Sequence, residues 1–134
     1  MATRLLDNIY WDINFPPRKR AVTQIPNGGQ MAISKDQWRQ VVLPARNFTL
    51  IYPVGRYGRH EITVPYGTDE QAITTEDILT TIYEFYQEPF PLVDINRFGY
   101  EEPPYSQGDA LDDLHHLQGL LKTAPDTYYL QLSS

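Results

Sequence analysis

His115 and His116 stand side by side, three and four residues after Asp112, so on a helix imidazole and carboxylate would come within reach of one another. Imidazole nitrogens and carboxylate oxygens are ligands for Zn2+ and its first-row neighbours, which makes "GDALDDLHHLQGLL" the first stretch to weigh for chemistry. On a helix over 109–121, Ala110, Leu114, Leu117 and Leu121 share one face while Asp112, His115 and His116 take the other. Adjacent histidines are then about 100° apart, whereas helical ligands to one ion sit at i and i+4. Asp112 and His116 have that spacing, but two ligands make no tetrahedral site, and the third histidine, His60, lies in a distant segment. The helical metal site fails, and the expectation is no metal and no cofactor.

Gly119 carries the argument further. In mid-helix it would cost about 1 kcal/mol relative to alanine, and "TYYLQL" beyond it alternates as a strand, with Tyr128, Leu130 and Leu132 on one side. Pro125-Asp126 supplies turn chemistry between "LQGLLK" and that strand. The spacing therefore predicts a helical turn near 109–114, then antiparallel strands near 116–122 and 127–132. Its histidines are expected to be solvated.

No other catalytic signature is present: there is no P-loop, no G-x-G-x-x-G, no G-x-S-x-G and no H-E-x-x-H. The acidic residues show no spacing that marks an acid/base pair, so no catalytic residue is assigned and an enzyme is not expected. Two basic stretches offer binding chemistry instead. Arg18-Lys19-Arg20 follows a double proline, and Arg56-Tyr57-Gly58-Arg59-His60 interleaves cations with an aromatic ring, as a phosphate contact or single-strand groove would. Arg18, Lys19, Arg20, Arg56, Tyr57 and Arg59 are thus the candidate residues if the protein is a nucleic-acid accessory. A sequence pI near 4.9 weighs against that role.

The elements that must position these residues are legible in part. "NIYWDINF" alternates, with Ile9, Trp11, Ile13 and Phe15 on one side and Tyr10, Asp12 and Asn14 on the other, predicting a half-buried strand that ends at Pro16-Pro17. The following twenty residues, with Pro26-Asn27-Gly28-Gly29, read as a long loop or weak edge hairpin. "DQWRQVVLP" reads as a strand up to Pro44. In "NFTLIYPVGRYGRHEITVPYG", Phe48, Leu50 and Tyr52 share a face with Ile62, Val64 and Tyr66 on the return, giving a hairpin over 47–66 with a basic, aromatic tip. "ITTEDILTTIYEFYQEPF" predicts a helix over 75–88, capped by Thr74 with Asp77 and stopped at Pro89. Its apolar stripe is Ile78, Ile82, Phe85 and Tyr86, with Leu79 at the edge. The proline-rich stretch after it reads as a long loop, including Pro103-Pro104-Tyr105, which falls one residue short of a WW-domain ligand.

Composition bounds the rest. A chain of 134 residues fits a single domain over 1–134, and 41% hydrophobic with 21% charged residues is ordinary globular usage. The absence of cysteine removes disulfides, thiolate metal sites and cysteine nucleophiles, and suits an intracellular or virion-interior setting. No stretch reaches the length of a bilayer-spanning segment, and no membrane partner is expected. The net charge of −6 is unevenly shared: residues 1–67 carry net +5 and residues 68–134 net −11. Either the halves face each other within one fold, or copies associate, or the basic half meets an external anion.

Tyr10-Trp11-Asp12 with its following prolines, "VVLPARNFTLIYP", "ITTEDILTTIYEFYQEP" and "DLHHLQGLLKTAPDTYYLQL" together resemble an uncharacterised domain family abundant in fungi, over about residues 10–132. The chain also resembles small proteins of large DNA viruses of the Marseillevirus type. The resemblance implies a closing Gly-Leu strand paired with an aromatic-led strand, and no catalytic residues. It implies a viral or virion setting, or the host cytoplasm or nucleus. Here Leu117-Gln118 precede Gly119-Leu120, where the family often has an aromatic.

The expectation is an α+β fold: a mostly antiparallel sheet built from the early strand and the two hairpins, with the 75–88 helix on one face. The expected function is a non-enzymatic interaction or structural protein, acting as a homodimer or on an unidentified protein partner; nucleic-acid accessory binding is the alternative.

Overall fold

The computed structural model describes residues 4–90 and 106–134. The fold is α+β and mostly antiparallel. Its strands in chain order are β1 (Arg4–Leu5), β2 (Ile9–Tyr10), β3 (Val22–Gln24), β4 (Gln30–Ala32), β5 (Val41–Leu43), β6 (Phe48–Val54), β7 (His60–Tyr66), β8 (Ile73–Thr74), β9 (His116–Ala124) and β10 (Thr127–Ser133). The helices are α1 (Pro17–Arg20), α2 (Lys35–Arg39), α3 (Thr75–Gln87) and α4 (Gln107–Ala110), and a 3-10 turn spans Arg56–Gly58.

The central sheet runs β1-β9-β10-β6-β7. The hairpin of β6 and β7 has the expected register, pairing Phe48 with Tyr66, Leu50 with Val64 and Tyr52 with Ile62. Phe48, Leu50 and Tyr52 are buried. The C-terminal hairpin is also as expected, with Pro125-Asp126 at the turn and Asp126 at φ 55°. What the alternation could not foresee is that β10 pairs with β6 in parallel, Tyr128 opposite Leu50. Local pattern specifies which face of a strand is buried, not the direction of its neighbour.

Both edges of this sheet are blunted. β1 is two residues long, and β7 carries Pro65, which has no N–H to offer a further strand.

Three expectations need correction. The early strand meets the central sheet only at a single Asp12–His116 bridge to β9: β2 pairs with β3, and β3 with β4, in a separate three-stranded sheet, while Arg4–Leu5 takes the place beside β9. The alternation holds for Ile9, Trp11 and Ile13, all buried, but Phe15 is 41% exposed because the chain turns there into α1. Residues 35–39 are helical rather than extended, and only Val41–Leu43 form a strand. Ser34 accepts from the Gln37 backbone N–H, and the Gln37 side chain accepts from the Ser34 N–H, a capping box that starts α2. The stretch from Val22 to Ala32 is the weak edge hairpin.

Helix α3 begins with the same device, Thr74 and Asp77 capping each other's backbone. Ile78, Leu79, Ile82 and Tyr86 are fully buried on its inner face, and Phe85 stacks on Tyr52 of β6 with ring centroids 3.9 Å apart. The Tyr86 hydroxyl donates to the Pro53 carbonyl at 2.8 Å. One cluster of buried side chains runs from Ile9 and Trp11 through α3 to Leu130. Among the described residues no helix is long and apolar enough to cross a membrane. The Pro103-Pro104-Tyr105 motif lies outside the described residues.

Candidate functional site

The two basic stretches sit on separate elements with separate partners. Arg18, Lys19 and Arg20 are exposed on α1, and Arg18 is ion-paired with Glu76 at the start of α3 while its guanidinium lies over the Trp38 ring. Arg20 lies over Phe15. Arg56 contacts Asp112 at 3.4 Å. At the tip of the hairpin Tyr57 is 50% exposed and Arg59 lies over its ring at 5.8 Å.

Some ion pairs cross between the two halves of the sequence. Arg18 with Glu76, Arg46 with Asp126 at 3.0 Å, and Arg56 with Asp112 each join the basic first half to the acidic second half. The halves face each other inside one chain, which was the first of the three readings.

The histidines are not solvated side chains on an open strand. Ile13 N–H donates to the His115 carbonyl at 2.8 Å and Leu117 N–H to the Trp11 carbonyl at 2.9 Å, lacing the early segment against the start of β9. Those two bonds flank an antiparallel bridge between Asp12 and His116. In such a non-hydrogen-bonded pair the two side chains project from the same face at their closest, with Cα atoms about 4.5 Å apart. Trp11, Ile13 and Leu117 alternate onto the other face and are buried. His115 precedes the strand, in the turn after Asp112, whose φ is 57°.

The result is a cluster of Asp12, His115 and His116 whose potential ligand atoms all lie within 4.8 Å of one another. His115 Nδ1 is 3.0 Å from Asp12 Oδ2, with side-chain exposures of 29% and 21%. The Nδ1 atoms of both histidines are shielded from solvent, and that of His116 has no hydrogen-bond partner. The other carboxylate oxygen of Asp12 accepts from the Asn14 backbone N–H at 2.9 Å, which holds the carboxylate in place. The His116 ring stacks on Tyr10 with centroids 5.3 Å apart and meets His115 at 4.6 Å with the rings tilted by 41°. Sequence spacing missed Asp12 because it is a hundred residues away; the alternation did put it on the polar side of its segment, the one available signal.

Three surface hollows accompany these features. One of about 270 Å³ is bordered by Leu5, Leu6, Ile9, Val41 and Val42 together with Asn8, Gln37, Gln40 and Thr75. Another of about 180 Å³ lies under the basic tip between Pro53, Tyr57, Leu114 and Tyr129, and a third of about 250 Å³ lies by Tyr66 and Asp77. All three are smaller than the usual range for small-molecule sites, about 300–1,000 Å³. Burial raises the hydroxyl pKa of Tyr52, Tyr66, Tyr86 and Tyr129. For Tyr86 that reflects its place in the core. No protein-family model, curated protein or solved structure matches this chain.

Proposed function

We propose that this is a non-enzymatic interaction protein that works as a pair of identical copies. The observation that supports this reading is the groove beside β5, where Val41 is 56% exposed next to Leu5, Leu6 and Val42. An aliphatic side chain so exposed, at the border of a groove that mixes aliphatic side chains with the amides of Asn8, Gln37 and Gln40, gains from burial about 25 cal/mol for each Å² covered. A two-fold pair would place Val41 of each copy against the groove of the other, the self-complementary arrangement of symmetric dimers. Arg18, Arg46 and Arg56 are ion-paired inside the chain, and the pairing proposed is through Val41 and the groove rather than through opposite charge. Within the same reading, the resemblance to the fungal and Marseillevirus-type domain makes this a small viral protein, working in the host cytoplasm or nucleus or in the virion.

Sedimentation velocity at about 50 µM, at low and high salt, tests the pairing. A dimer at both salts that Val41→Glu converts to a monomer is the expected result. A monomer throughout refutes it, and a dimer that falls apart in high salt refutes the apolar basis.

A further inference from the structure

We propose that Asp12, His115 and His116 form a binding site for a first-row divalent transition metal, with Zn2+ the best match. The inference is independent of the pairing proposed above. Two imidazoles and one carboxylate are a donor set suited to Zn2+, Ni2+, Cu2+ and Fe2+, and poorly suited to Ca2+ or Mg2+, which take oxygen ligands.

The geometry fits an ion held by all three. With metal–nitrogen and metal–oxygen bonds of about 2.1 Å, two ligand atoms on one ion stand about 3.0 Å apart at a right angle and about 3.4 Å apart at a tetrahedral one. His115 Nδ1 and Asp12 Oδ2 are already 3.0 Å apart. The limit of 4.8 Å on every pair leaves a gap that rotation of one histidine ring closes. The backbone needs no movement, since the Ile13–His115 and Trp11–Leu117 hydrogen bonds hold both segments in register.

Two further observations point to a ligand. His116 turns an Nδ1 without a hydrogen-bond partner away from solvent, and a buried nitrogen without a partner is costly unless something else takes its lone pair. The His115 Nδ1 lies 3.0 Å from the Asp12 carboxylate, the separation of two ligands on one ion. A cation beside both atoms satisfies each. Three protein ligands leave a coordination position open on the partly exposed side, filled by water.

The test uses the whole chain with ZnCl2 alone as the probe. Calorimetric titration is expected to give one Zn2+ per chain. His116→Gln and Asp12→Asn are each expected to weaken binding by at least about tenfold, whereas His60→Ala, at the start of β7, leaves it unchanged. Circular dichroism shows whether the variants are folded. In the wild-type chain, which needs no variant, substoichiometric Co2+ should broaden the ring-proton resonances of His115 and His116 before those of His60. Absence of heat at about 100 µM Zn2+ overturns the proposal. So does broadening that begins at His60, or binding that survives both substitutions in folded protein.

Discussion

Replacing Tyr86 with phenylalanine isolates one buried hydrogen bond. The ring is fully buried, and its edge-on contacts with Tyr52 at 5.8 Å and Phe85 at 4.9 Å survive the change, so only the hydroxyl is lost. The hydroxyl donates to Pro53 at 2.8 Å. Pairing of β6 with β10 covers only Thr49 to Ile51, so the ladder has ended before Pro53 and the tyrosine provides its carbonyl with a donor. Loss of the bond with the acceptor left unpaired costs about 1–2 kcal/mol. For a chain of this length that lowers Tm by about 3–8 °C. Guanidinium denaturation followed by circular dichroism measures it, with an unchanged slope expected because the same surface is exposed on unfolding. A loss below about 0.3 kcal/mol would refute the reasoning, since the carbonyl would then have another partner. The same variant reports on alkaline pH. Burial, then the neighbouring Tyr52, raises the Tyr86 pKa well above 10.0. Below the ordinary tyrosine value of about 10 the group is neutral in both states, and its contribution to stability is fully present. Above that value the unfolded chain ionises first, and the contribution declines as pH climbs toward the folded value. Tyr86→Phe should therefore lose stability less steeply than the wild type above pH 10.

Gly119→Ala is expected to destabilise by about 1–3 kcal/mol in thermal denaturation. The residue has φ 139°, and an added Cβ would lie 2.8 Å from the Leu5 carbonyl oxygen of the neighbouring strand. Ser34→Ala should cost about 1 kcal/mol by removing the cap on α2. The exposed pair of Arg18 and Glu76 should show a coupling below about 1 kcal/mol in a double-mutant cycle, decreasing with salt. The chain should not shift single-stranded oligonucleotides in a gel at about 50 mM salt. Retention lost on neutralising Lys19, Arg20 and Arg59 would restore the nucleic-acid reading.

What the sequence made legible was local. The 47–66 hairpin followed from alternation and a glycine-bounded tip, and α3 from its capping residues and stripe. Gly119 was a sound reason to reject a continuous helix, although its role in the structure is close packing against β1. Residues 35–39 were misread because Trp38 and the following valines favour strands, while the Ser34/Gln37 capping signal was there to be read. The Asp12, His115 and His116 cluster was out of reach for a different reason. Each residue type was visible, but their meeting depends on a bridge between segments a hundred positions apart, which no local pattern encodes. The charge asymmetry was visible too, and only the structure showed that three ion pairs bridge the two halves.

The parallel pairing of β6 and β10 has a kinetic consequence. β10 is an inner strand of the central sheet, flanked by β9 and β6, yet it follows every other described element in chain order. During synthesis, β6 and β7 emerge early and leave one side of β6 unpaired until β10 arrives, some eighty residues later. Long-range closure of this kind is slow, because the loop entropy is lost before the contacts form. In that interval Leu50 and Tyr52 are exposed on a strand with an open edge, a nascent species suited to capture by chaperones and prone to aggregate if release of the last strand is delayed.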